Sequence, residues 1–394
     1  MSVTRREFGK LALAGLPAAA VLARAESIFG AFARPSPLPG ATAGQAQGKP
    51  NSLINGVQIG TITYSFRSMP DQGGEATLKY ILDSGLSAVE LMDGPAERFA
   101  GVPRAEGRGG GGGGARGGGR GPGAPVELRE GEKFGSWNGQ QCVIPAPAGT
   151  GGGGGGRGRG RGETTPEQLA AQQEAATKLR DWRTSVSMDK FKALRKMYND
   201  AGVTIYAYKT DGMQKNLQTT DGELDYMFNV ANALGATHTT MELPGGADAE
   251  AMLKRMAQFA EKHKLPVAYH THAQGSMTAF DQAFALSKWN LSNVDFGHWV
   301  AAGNVGGTPV QFLEKHHARI ASFHVKDRTT PEHCSLNLAF GTGETPIKDI
   351  LQLVKKNKWK IPASIELEYS IPESSDAVKE TAKCVEYCRA ALST

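Results

Sequence analysis

Cysteine is scarce in this sequence. The four residues, at 142, 334, 384 and 388, are too few and too unevenly spaced for a disulfide framework. Cys384 and Cys388 stand one helical turn apart near the C-terminus with no histidine at ligand spacing, so they read as small buried hydrophobes and not as a zinc or redox pair. No G-x-x-x-x-G-K-[ST] follows a strand-like run, so 51 glycines supply no phosphate-cradling loop of that kind. The N-terminal apolar run, residues 11–22, is too short and too rich in alanine and glycine for a membrane span. A true excess of positive charge is missing as well. Of 44 basic and 39 acidic groups, residues 1–25 hold four and one, and residues 103–162 hold nine and four. The remainder carries 31 basic and 34 acidic groups and is mildly acidic, which argues against a nucleic-acid or membrane-surface footprint.

The first 25 residues read as an export signal: Arg5-Arg6 with Phe8 and Lys10, the apolar run, then Ala23-Arg24-Ala25 as a cleavage site. Paired arginines of this kind resemble a twin-arginine signal, which implies a periplasmic or secreted protein that is exported already folded. Residues 26–53, rich in Ala, Gly, Pro and Gln, read as a linker.

Beyond it, strand-like and helix-like segments alternate. Strands are expected over residues 57–66, 88–92 (carrying Glu90), 203–208, 238–243, 266–272, 294–298, 319–326 and 362–369. Helices are expected over 76–84, 166–199, 224–234, 249–263, 277–289, 309–317, 347–357 and 376–392. Eight of each in alternation predict an α/β fold, a (β/α)8 TIM barrel over residues 54–394 with a long Gly/Arg-rich insertion after the second strand. Without residues 103–163, the stretch from 57 onward holds about 277 residues, in line with the roughly 250 typical of such barrels. Glycine loses the most backbone entropy on ordering, so the glycine tracts of residues 103–163 are expected to be disordered, with residues 131–144 the part able to fold over the barrel mouth. An RGG-like polyanion-binding reading of this insertion is weakened by its aromatic content, Phe134 and Trp137 alone.

In a TIM barrel the C-terminal strand ends converge on one face, where the chemistry sits. Here those ends carry Glu242, then His270 and His272, then Asp295 and His298, then His324, Lys326 and Asp327, then Glu366 and Glu368. With a side-chain period of two, His270 and His272 share a face, as do Glu366 and Glu368. Any one of these residues has an ordinary explanation, but inward carboxylates on neighbouring strands repel and call for a cation. Mixed imidazole and carboxylate donors suit Mn, Zn, Co or Fe better than Ca, with Mg a further candidate. His316 and His317, beside Glu314 and Lys315 on a helix, are expected at the surface.

The motifs Tyr269-His270-Thr271-His272, Asp295-x-Gly297-His298-Trp299, His324-Val325-Lys326-Asp327 and Ile365-Glu366-x-Glu368 resemble those of the sugar phosphate isomerase/epimerase family of xylose isomerase-like TIM barrels. That family also includes inosose dehydratases and keto-glycoside-opening subunits. The resemblance spans about residues 55–392 outside the insertion. It implies Asp295, His324 and Glu366 as ligands of a divalent metal, with Glu242 or His270 as the fourth, since many members carry a carboxylate at the position of His270. It also implies His298 and Lys326 facing substrate. In each strand-end pair only one member need bind metal, which leaves His272 and Glu368 as further candidates on the substrate side. The expected activity is proton transfer next to the carbonyl of a sugar or polyol through an enediolate. A keto-sugar or keto-glycoside lyase or dehydratase, a metal-dependent phosphodiester hydrolase and a non-catalytic polyanion binder are the alternatives. The expected partner is a small carbohydrate, with no specific nucleic acid and no membrane span in the mature form; a homo-oligomer is compatible with the sequence.

Overall fold

The computed structural model of the 394-residue chain describes residues 49–103, 128, 132–144 and 165–394. The expected export signal, most of the expected linker and most of the Gly/Arg-rich insertion, with its expected disorder, lie outside the described residues.

The eight expected strands are present: β1 Val57–Ile62, β2 Ala88–Met92, β3 Thr204–Lys209, β4 His238–Glu242, β5 Val267–His270, β6 Asn290–Asp295, β7 Ile320–Val325 and β8 Ala363–Ile365. Each pairs in parallel with the next, and β8 pairs with β1, which closes the sheet into a barrel and leaves no edge. The register decides which side chains meet: His270 lies opposite Asn293, Asp295 opposite His324, and Val325 opposite Ile365. The last residues of β5 to β8 thus reach the same rim.

The wrapping helices are α1 Gly74–Asp83, α2 Asp93–Ala100, α3 Pro166–Ser185, α4 Met188–Asp200, α5 Asp221–Leu234, α6 Ala249–His263, α7 Asp281–Leu286, α8 Phe296–Ala301, α9 Pro309–His316, α10 Ile347–Asn357 and α11 Ala377–Ser393. The expected helix over 166–199 is two, because Ser187 breaks the run and caps α4 through the Asp189 N–H. The expected strand over 294–298 is displaced to β6. Its buried residues Asn290, Ser292 and Asn293 lack the apolar pattern of a parallel strand, and Asp295 ends it by capping α8. The strands expected over 57–66 and 362–369 are shorter, and the helix expected over 277–289 contracts to α7.

Where the chain re-enters the barrel after the insertion, α3 opens with a capping box between Thr165 and Gln168. None of its residues is buried, and side chains of its C-terminal half hold it: Arg180 pairs with Glu223 at 3.3 Å, Trp182 packs edge-on to Tyr226, and Arg183 reaches α2. The Arg183 guanidinium grips the Glu97 carboxylate of α2 twice, at 2.8 and 3.2 Å, and Tyr226 donates to the same carboxylate at 3.1 Å. Arg183→Ala would leave that buried carboxylate without its counter-charge, with Tyr226 still donating to it, so it should destabilise the fold by about 3–5 kcal/mol. Chemical denaturation of the variant measures it, and a loss below about 1 kcal/mol would mean that α3 is held by something else.

Two of the four cysteines depart from the sequence expectation: Cys142 and Cys334 form a disulfide, and Cys384 and Cys388 are free and buried. The bond joins residues 192 positions apart in the sequence, a pairing that spacing alone does not reveal. Cys142 belongs to a hairpin, Lys133–Trp137 paired with Gln140–Ile144, turned at Asn138-Gly139 with φ of 46° and 81° as such tight turns require. The hairpin rests on the short turn Pro331–His333 beyond β7, with the Trp137 and His333 rings 5.1 Å apart. Residues 133–144 therefore fold onto the rim, as the sequence suggested. Thiol titration without reductant should find no reactive group in the native protein and two after unfolding. Four after unfolding would mean that the bond does not form.

Candidate metal centre

β5, β6 and β7, and the extended segment beyond β8, deliver His270, Asp295, His324 and Glu366 to one point. One donor atom from each lies within 4.8 Å of the others, and all four side chains are buried. His324 stands at the centre. Its Nδ1 is 3.1 Å from Glu366 Oε2 and 3.9 Å from Asp295 Oδ2, and its Nε2 is 2.8 Å from Glu90 Oε2. Burial opposes charge on this ring, but the Glu90 and Glu366 carboxylates outweigh it and push His324 up to about 10.

His270 is neutral: burial, with His324 and Lys209 close by, pushes it down to about 3. Its tautomer follows from Asn293, whose Nδ2 donates to Ser322 Oγ at 2.7 Å, so that Oδ1 accepts from His270 Nδ1 at 2.9 Å. The lone pair of His270 Nε2 is left facing Asp295 Oδ2 at 3.9 Å.

Asp295 uses Oδ1 to accept from the His298 N–H at 2.7 Å. Its Oδ2 is buried and without a hydrogen-bond partner among the described residues, although Lys326 Nζ lies 3.0 Å away out of hydrogen-bonding alignment. Burial, together with the nearby Glu366 charge, raises Asp295 to about 6 even against Lys326. Glu366 is held well below the carboxylate range, since Lys326 and His324 more than offset its burial. Two imidazoles and two carboxylates, with one buried oxygen lacking a partner, fit a divalent cation of the first transition row.

Two proton-carrying pairs flank this cluster. Lys326 Nζ donates to Glu366 at 2.7 Å and to Glu368 at 2.6 Å. On the other side His272 Nε2 lies 2.9 Å from Glu242 Oε2, whose Oε1 accepts from Lys209 at 2.9 Å. Glu242 is thus placed beside the cluster and paired, while His270 is inside it. His298 lies between the two sides, its ring 4.5 Å from that of His272.

Other expected residues fall elsewhere. Asp327 is buried away from the cluster and accepts the N–H groups of Gly341, Thr342, Gly343 and Thr345, fixing the loop after β7. His316 is not a free surface residue: its ring packs on Phe284 and Phe312, and His317 stacks on Trp359. Four residues at the site had no place in the sequence reading of it: Glu90, Lys209, Asn293 and Arg328. Glu90 offered a signal, a carboxylate inside the apolar strand Ala88–Met92, and it is wholly buried. It is held down to about 2, burial being outweighed by His324.

A closed eight-stranded parallel barrel with an inward donor cluster at its C-terminal rim defines a TIM-barrel protein of the kind that gathers its chemistry from several strand ends. Residues 171–388, more than half of the chain, match the xylose isomerase-like TIM barrels, and the chain belongs to that family. No match was found among curated proteins. Similar solved structures include a sugar phosphate isomerase/epimerase from Parabacteroides distasonis (14% identity, 91% of this chain and 100% of that one, TM-score 0.49). Two others are the probable 3-DHS dehydratase AsbF from Bacillus anthracis (12%, 84% and 99%, 0.49) and the 3-keto-D-glucoside 4-epimerase YcjR from E. coli (9%, 85% and 99%, 0.49). At these identities the likeness is one of fold.

Proposed function

We propose that this protein is an exported sugar isomerase or epimerase that works with one divalent cation held by His270, Asp295, His324 and Glu366. The observation that carries the reading is the convergence of these four buried donors, with Asp295 Oδ2 accepting no hydrogen bond among the described residues and having only the Lys326 charge near it. A cation bound there would polarise a carbonyl and its neighbouring hydroxyl, acidifying the C–H bond between them. The flanking pairs supply the proton transfers. Glu242 accepts from His272 Nε2, which leaves His272 Nδ1 to take up a proton. On the opposite side Glu368 is the second proton carrier, and Lys326 Nζ offsets the negative charge that develops on the sugar oxygens. Transfer between two carbons gives isomerisation, and transfer between two faces of one carbon gives epimerisation. With a leaving group one carbon further on, the same residues give elimination.

Export is supported by the twin-arginine-like segment and by the Cys142–Cys334 bond, which suits an oxidising compartment. No helix among the described residues is long and apolar enough to cross a membrane.

Deuterium uptake tests the reaction. Keto-sugars and keto-glycosides incubated with the metal-loaded protein in heavy water should gain label beside the carbonyl, and a chelator should stop it. Failure of every keto-sugar and keto-glycoside to exchange would sink the reading. A second group, His270, His272 and His298, has donors within 4.8 Å of one another and favours the rival phosphodiester hydrolase. That chemistry requires more than one metal, so elemental analysis separates the two readings: one per chain supports the sugar enzyme, two or three the hydrolase.

A further inference from the structure

Arg328 lies just past Lys326 and turns back toward α8. Its Nη1 is 2.6 Å from His298 Nδ1, and its Nη2 is anchored on the carbonyl of Ser335. The approach depends on residue 297 being glycine: a Cβ there would meet the Lys326 carbonyl at 2.7 Å and Arg328 Cγ at 3.3 Å. A guanidinium has donors and no acceptor, so Nδ1 of His298 must be the accepting nitrogen. A neutral imidazole that accepts at Nδ1 carries its hydrogen at Nε2. A ring whose Nδ1 accepts from a guanidinium cannot be the doubly protonated imidazolium, so His298 is neutral. Its Nε2 is buried without a hydrogen-bond partner among the described residues, with Glu368 Oε2 3.9 Å away. A buried N–H left unpaired is costly, so this donor is aimed at something the site receives.

We propose that Arg328 is a positioning residue that locks His298 in its Nε2–H tautomer, so that His298 donates a hydrogen bond to a carbonyl or hydroxyl oxygen of the sugar and does not serve as the base. The oxygen it meets rests on the proposed sugar-enzyme function; the tautomer does not. The lock divides the two imidazoles at the mouth by role. His272 presents a lone pair at Nδ1 and can move a proton, whereas His298 presents a fixed donor that can hold an oxygen as negative charge grows on it.

The test reads the ring nitrogens of 15N-histidine-labelled protein by NMR, without substrate or added metal, with His298→Gln used to assign the signals. His298 Nδ1 should show the signature of an unprotonated ring nitrogen and Nε2 that of an N–H. In Arg328→Met the pattern should shift toward the other tautomer. Arg328→Lys, which keeps a donor on a long stem, should restore it at least in part. In the metal-loaded enzyme Arg328→Met should lower kcat about tenfold, with a smaller change in KM. A proton on Nδ1 in the wild type, or an unchanged pattern in Arg328→Met, overturns the lock whatever reaction is catalysed. The expected nitrogen pattern with no turnover of any keto-sugar would overturn the sugar reading and leave the lock standing. Should Arg328→Met fail to fold, the wild-type pattern and that of Arg328→Lys decide the question.

Discussion

His324→Ala should empty the site and silence the protein. The wild type is expected to bind one divalent cation per chain, and the variant none, with turnover falling to background. The substitution removes the central donor and leaves Glu90, Asp295 and Glu366 facing one another, with Lys326 and Lys209 as the nearest cations. Glu90 loses the partner that offsets its burial, so a carboxylate of the cluster should take up a proton. Lys326→Met should separate binding from chemistry. It leaves all four donors in place, so the metal should remain while turnover drops by about 10²–10³-fold, the size usual for a group that stabilises developing charge. Glu250→Ala, at an exposed residue paired within its own helix, is the control. His316→Ala is unsuitable for that purpose because its ring fills space between Phe284 and Phe312. Elemental analysis and activity are read across the set. Full metal occupancy in His324→Ala would remove β7 from the site and with it the main support for the proposed function.

Glu90→Gln should weaken metal binding about 10–100-fold without unfolding the barrel, the size usual for residues that orient a ligand from behind. Glu90 Oε2 meets His324 Nε2 at 2.8 Å and its Oε1 accepts from Thr240 at 2.6 Å, so this carboxylate holds the ring by Nε2 with Nδ1 turned to the cluster, where a cation would displace the Nδ1 proton, and it raises the basicity of the ring. Glutamine keeps the shape and one acceptor but loses the charge. Glu90→Ala goes further and strands His324 Nε2 and Thr240 Oγ1 in the barrel interior. Each unsatisfied group then costs about 1–3 kcal/mol. Metal titration by calorimetry and chemical denaturation distinguish the two variants. A metal affinity for Glu90→Gln within twofold of wild type would show that the contact with His324 is incidental.

The barrel was legible because most strand–helix units repeat one grammar: a short, largely apolar strand, then an amphipathic helix, in several units closed by a glycine or lysine in the left-handed conformation. Gly235 and Lys264 are two such ends, with φ of 74° and 54°. Strand-end histidines and carboxylates were legible for the same reason, since strand period and parallel order place them on one rim. Side-chain direction after a strand stops was harder to foresee. Asp327 turns outward to hold a loop although Lys326 beside it points inward, and His298 projects from a helix that only the capping by Asp295 creates. Polar residues inside the barrel were hidden too. Asn293 fell outside the strand expected over 294–298 and Ser322 carries no pattern of its own, yet together they set the tautomer of His270 from behind. The Cys142–Cys334 bond escaped because its two ends, 192 residues apart, are neighbours only through the tertiary packing of the hairpin on the rim.

That bond makes the two flanks of the insertion unequal as places to cut the chain. A break engineered between residues 145 and 164 divides β1, β2 and the hairpin from the rest, but the two pieces stay joined through Cys142 and Cys334 and separate only when reduced. A break between residues 104 and 127 leaves both cysteines on one piece, so that β1 and β2 are kept in the barrel by strand pairing and packing alone. The first split protein is a covalent heterodimer whose assembly a thiol can reverse, and the second is a complementation pair whose assembly depends on concentration.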